Sequence, residues 1–87
     1  MNSKQKKTLN EVFHDPIKSS VLWSDIDNLF RALGAHIEEG SGSRVCILLN
    51  GVAAVFHRPH PQKETDKGAL KSVRHFLINA GVENDGI

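Results

Sequence analysis

The side chains best suited to chemistry in this chain gather in one stretch: His57, Arg58, His60, Lys63, Lys67, Lys71 and Arg74. Imidazole exchanges protons near neutral pH, with an ordinary pKa of ~6.5, and so serves as general base or general acid. Cleaving a phosphodiester next to a free hydroxyl without a metal takes a base for the hydroxyl proton, an acid for the leaving oxygen and cations for the phosphorane charge. His60 and His57 are the candidates for the proton steps. His57 falls at the end of a predicted strand. His60 follows three residues later between Pro59 and Pro61, whose rings stiffen the backbone and reduce the entropy lost in positioning it. Equally ordinary roles exist for both, as a strand-end residue and a turn histidine. Two histidines and the single Cys46 give no recognised ligand spacing, so no metal or cofactor is expected.

Lys63, Lys67 and Lys71 recur every four residues through a loop and into a predicted helix, and Arg74 continues their face. A helix N-terminus offers free N–H groups and partial positive charge to a phosphate. Gly68, lacking a side chain, would let that phosphate approach closely. With Arg44 and Arg58 these form the expected phosphate-binding set: Arg44, Arg58, Lys63, Lys67, Gly68, Lys71 and Arg74. An exposed lysine-rich helix face would look the same, and Glu64 and Asp66 could simply cap the helix. His14, His36 and His75 are expected to be structural or solvent-facing. Phe13, Trp23, Phe30, Phe56 and Phe76 fit core positions better than a base-stacking platform.

The elements that must hold these residues read from periodicity. Residues 4–14 could form a short helix, with Leu9, Val12 and Phe13 on one side and Pro16 stopping it. Ser24 is expected to cap a second helix whose stripe is Ile26, Leu29, Phe30 and Leu33, with Gly34 ending it. Trp23, just before that cap, should staple onto the stripe. Three strands follow, at residues 35–38, 44–49 and 52–57, the last two joined by Asn50-Gly51, a strong two-residue hairpin signal. A last helix is expected over residues 65–80, with Ala69, Leu70, Val73, Phe76, Leu77 and Ala80 facing the core. The economical assembly is a three-stranded antiparallel sheet with two helices packed on one face, plus a short N-terminal helix.

Eighty-seven residues make one small domain. Residues 8–82 are taken as that domain, with residues 1–7 as a disordered basic tail and 83–87 as a frayed one. The apolar runs fall well short of the ~18–20 residues that cross a bilayer, and residues 1–7 lead into no apolar signal stretch. A lone cysteine fits a reducing cytoplasm. The net charge of +1 conceals an asymmetry. Residues 8–40 hold six acids against two bases, and residues 41–75 hold six bases against two acids. That division suggests one surface facing a polyanion.

The order of elements and three runs of sequence resemble the HicA family. The runs are Phe56-His57-Arg58-Pro59-His60-Pro61-Gln62-Lys63-Glu64-Thr65, then Gly68-Ala69-Leu70-Lys71-Ser72-Val73, then Phe76-Leu77-Ile78-Asn79-Ala80-Gly81-Val82. The likeness covers roughly residues 22–82. It implies a double-stranded-RNA-binding-like αβββα fold and a toxin of a bacterial type II toxin–antitoxin system. The implied activity is translation-independent mRNA cleavage, with mRNA as substrate and a HicB-like antitoxin as silencing partner. Members typically carry Gly-Ser-His-His at the start of the second strand, where the histidine is catalytic. This chain reads Gly42-Ser43-Arg44-Val45. Arginine binds phosphate but stays protonated near neutral pH. A non-catalytic RNA-binding or antitoxin-docking module is therefore the competing expectation.

Overall fold

The computed structural model describes residues 1–60 and 62–83. The chain runs α1 (Ser3–Val12), β1 (Val21–Leu22), α2 (Trp23–Ala32), β2 (His36–Glu39), β3 (Arg44–Leu49), β4 (Val52–His57), β5 (Glu64–Thr65) and α3 (Lys67–Asn79). Strands β2, β3 and β4 form an antiparallel sheet in that order, and β1 pairs with β5 in a separate two-residue ladder. The double-stranded-RNA-binding-like αβββα arrangement expected from the sequence is present.

Alternation in β3 and β4 decides which face of the sheet is covered. Val45, Ile47, Leu49 and Phe56 are buried, whereas Arg44, Leu48, Ala53, Val55 and His57 point outward and are exposed. Against the inner face lie Ile26, Leu29 and Phe30 of α2 and Leu70, Val73, Phe76 and Leu77 of α3. Phe30 stacks on Phe56 at 5.9 Å between ring centroids and meets Phe76 edge-on at 5.7 Å. Such ring pairs add ~0.5–1.5 kcal/mol each beyond the area they bury. The aromatics thus form the centre of the core. Helix α1 buries Leu9 and Val12 against α2 and α3.

Both main helices end as their glycines predict. After α2, Gly34 adopts φ 85°, its N–H donating to the Arg31 carbonyl and that of Ala35 to the Phe30 carbonyl. Gly81 repeats the motif after α3 with φ 82°, through Gly81 to Ile78 and Val82 to Leu77. Asn50 takes φ 50° in the hairpin turn, and its side-chain amide donates to the Ala80 carbonyl at 2.7 Å. One residue therefore closes the hairpin and pins it to the end of α3.

Four expectations are corrected. Residues 3–7 are helical, not a tail: Asn2 and Gln5 form a reciprocal capping box that starts α1 at Ser3. Helix α2 begins at Trp23 with Leu22 as cap residue, so Ser24 is not the cap. The cause is tertiary. Leu22 is held opposite Glu64, and the Trp23 N–H donates to the Lys63 carbonyl. The last helix starts at Lys67, since Thr65 belongs to β5 and the Asp66 side chain accepts from the Ala69 N–H at 2.7 Å. Finally, β2 is shifted by one residue, which places Glu39 opposite Val45. The expected tail at 83–87 lies, beyond Glu83, outside the described residues.

Candidate functional site

At the open end of the sheet, β3 begins and β4 finishes side by side. Arg44 stands opposite His57 in the β3–β4 register. The Arg58 N–H donates to the Ser43 carbonyl at 2.9 Å, which makes 44/57 a non-hydrogen-bonded pair, the type whose side chains come closest. Both are exposed on the outer face.

Past His57 the chain turns toward α2. Arg58 donates to Glu39 Oε1 at 2.6 Å, and its guanidinium lies 4.0 Å from Asp27 Oδ1. Asp27 also pairs with Arg31 at 3.5 Å. Arg58 is thus tied to both β2 and α2, and this fixes where the next two residues project. Pro59 and His60 separate two open grooves of about 500 and 480 Å³. The larger is bounded by Leu22, Trp23 and Ser24 at the start of α2, with Gln62 and Lys63 opposite. The smaller is bounded by Gly42 and Ser43 in the β2–β3 turn. Exposed His60 and half-buried Arg58 line both. Pro61, the second proline expected to brace His60, lies outside the described residues.

The structure brings together only part of the expected basic set. His60, Arg58 and Lys63 share the larger groove, while Arg44 and His57 lie beyond the smaller groove's Ser43. Lys67 and Lys71 are exposed on α3, one helical turn apart. The start of α3 is occupied by Asp66, and a Cβ on Gly68 would lie 3.5 Å from its Oδ1. That space holds a carboxylate. Arg74 is engaged elsewhere. Its guanidinium donates to the carbonyls of Val12 at 2.8 Å and His14 at 2.6 Å and to Asp15 at 3.2 Å, closing the connection after α1.

Of the other histidines, His14 Nδ1 lies 3.0 Å from the Pro16 carbonyl and His36 Nε2 lies 3.3 Å from Glu38. His75 is exposed beside β4. Sequence reasoning missed Ser24 and Trp23 as groove walls. The available signal was their place just before a helical stripe, which reads as cap and core.

Element order and sheet register give an αβββα domain with a double-stranded-RNA-binding-like fold, and an arginine-, histidine- and lysine-lined cleft lies beside the sheet. Residues 23–82 match the family described as the HicA toxin of bacterial toxin–antitoxin systems. The chain belongs to that family: it is a toxin of a toxin–antitoxin pair, and membership implies a cognate antitoxin. No curated protein and no solved structure matches it. Among the described residues, no helix is long and apolar enough to cross a membrane.

Proposed function

We propose that this toxin binds mRNA and cleaves it without a metal in the bacterial cytoplasm, and that a HicB-like antitoxin silences it. The observation that carries this reading is the position of His60, exposed at the junction of two grooves that also contain Arg58. In such cleavage the 2′-oxygen attacks the adjacent phosphorus and the 5′-oxygen of the next nucleotide leaves. A base removes the 2′ proton and an acid supplies one to the departing oxygen. His60 is assigned one of these transfers, with His57 as the other candidate. Arg44, Arg58 and Lys63 supply positive charge for the phosphorane, and Lys67 and Lys71 extend it along α3 for flanking phosphates.

Arg44 favours a second reading. The family resemblance leads one to expect a histidine there, so an RNA-binding or antitoxin-docking module without catalysis is consistent with the arginine. One experiment separates the two. Purified protein is incubated with RNA in EDTA beside its His57→Ala and His60→Ala variants. Cleavage that disappears in either variant supports the nuclease. RNA binding with no cleavage in any of the three supports the module.

A further inference from the structure

The two edges of the three-stranded sheet are built differently. Strand β2 is four residues long and carries Glu38 and Glu39, the brevity and charge that blunt an edge against further pairing. Strand β4 is six residues long, Val52 to His57, with no proline, lysine, arginine or acid. Its register says where the backbone groups go. Ser43 and Arg58 are hydrogen-bonded, so the pairs 45/56, 47/54 and 49/52 are as well. Ala53, Val55 and His57 therefore turn their N–H and C=O groups away from β3, toward the open edge. Among the described residues no strand pairs there. All three are exposed, Val55 by 57%.

Helix α3 runs beside that edge. A groove of about 250 Å³ lies between them, with Ser72, His75, Phe76 and Asn79 on the helix side. A free strand edge flanked by a helix is a slot for an extended chain. Main-chain hydrogen bonds hold the chain, and its side chains alternate between the groove and the outer face. A second copy of this protein fits the slot poorly. Paired strands lie ~4.8 Å apart, but the copy's α3, packed on its own β4, needs ~8–10 Å from the first. The end of β4 adds charge. Arg44 stands opposite His57 on the outer face and has no ion pair among the described residues, unlike Arg58, which Glu39 holds. An acidic side chain on an incoming strand beside His57 would meet both.

We propose that the β4 edge is the docking site of the cognate antitoxin, which adds an extended segment as a fourth strand and sets an acidic residue against His57 and Arg44. The occupant rests on the antitoxin reading above; the open edge does not. The added strand runs onto the Arg44–His57 pair, so docking covers that part of the candidate site.

The full-length cognate antitoxin is added to ¹⁵N-labelled toxin, and amide hydrogen exchange is compared in the complex and in the free protein. In the free toxin Ala53, Val55 and His57 should exchange fast beside Ala54 and Phe56, which are bonded to β3. In the complex the three should slow by roughly tenfold or more. Val55→Pro removes one outward N–H and spares the β3 ladder, which that N–H does not reach. It should weaken the complex roughly tenfold or more, whereas Val55→Thr, which keeps the N–H and the branched side chain, should bind within a few fold of wild type. Arg44→Glu should weaken it too, most at low salt. A complex in which the three amides exchange as in the free toxin would overturn the docking site while sparing the antitoxin. Wild-type affinity in folded Val55→Pro or Arg44→Glu toxin would do the same. The exchange comparison needs no variant, so it decides even where Val55→Pro does not fold. No complex at all would remove the antitoxin as occupant and the antitoxin reading with it. Protection of the three amides that grows with the concentration of free toxin would overturn the proposal in favour of a second copy.

Discussion

Arg44 and His57 face each other across the β3–β4 ladder as a non-hydrogen-bonded pair on the uncovered face of the sheet. The position where the family resemblance leads one to expect a histidine therefore still adjoins an imidazole in this chain, one strand over. Arginine in that place keeps the positive charge and removes the proton exchange. Under the proposed nuclease reading, proton transfer falls to His57 and to His60 beyond it, and this gives distinct expectations for each substitution.

The lysines test whether the basic surface meets phosphate. Replacing Lys63, Lys67 and Lys71 together with alanine should weaken RNA binding and flatten its salt dependence, by about one unit of log–log slope at most for each lost contact. All three are exposed, so folding should survive, with each change costing less than ~0.5 kcal/mol. An unchanged salt slope would remove these residues from the interface.

Arg74 separates scaffold from interface. The Val12 carbonyl it satisfies belongs to a fully buried residue. Arg74→Ala should lower stability in urea denaturation by roughly 1–3 kcal/mol, the cost of leaving the part-buried Val12 carbonyl unpaired. A variant of wild-type stability that binds RNA weakly would return Arg74 to the RNA-binding set.

The core prediction is simpler. Phe30 and Leu77 are both 0% exposed, so alanine at either should cost ~2–5 kcal/mol. A domain of this size has little stability to spare. Cooperative unfolding with an unchanged midpoint would contradict the assigned helix faces.

What was legible in the sequence follows from what local pattern encodes. Strands β3 and β4 and the Asn50-Gly51 turn match expectation, because alternation and turn chemistry lie within fourteen consecutive residues. So do the glycine ends of α2 and α3. The β1–β5 ladder was not legible: two residues pair with two others some forty positions away, and neither pair carries a pattern. That ladder delivers the Lys63 carbonyl to Trp23, displaces Ser24 from the cap and sets the larger groove beside His60. The histidines of the candidate site were legible by type. Its walls were set by long-range contacts. Arg74 fell on a basic stripe by spacing, yet its acceptors lie about sixty residues earlier.

The catalytic prediction turns on His60. It is exposed where both grooves meet, whereas His57 lies on the outer sheet face against Arg44. Removing a general acid or base typically costs 10²–10⁴-fold in rate. His60→Ala should therefore abolish toxicity and RNA cleavage while leaving RNA affinity within a few fold, because one imidazole adds little to the phosphate attraction of the surrounding arginines and lysines. Arg44→Ala should lower both affinity and cleavage, since a guanidinium near the phosphorane contributes to binding and to charge stabilisation. Gel-based cleavage and binding assays on folded variants measure the two quantities separately. Wild-type cleavage by His60→Ala would transfer the proton step to His57. Wild-type cleavage by the double variant would remove imidazole chemistry from this end of the sheet.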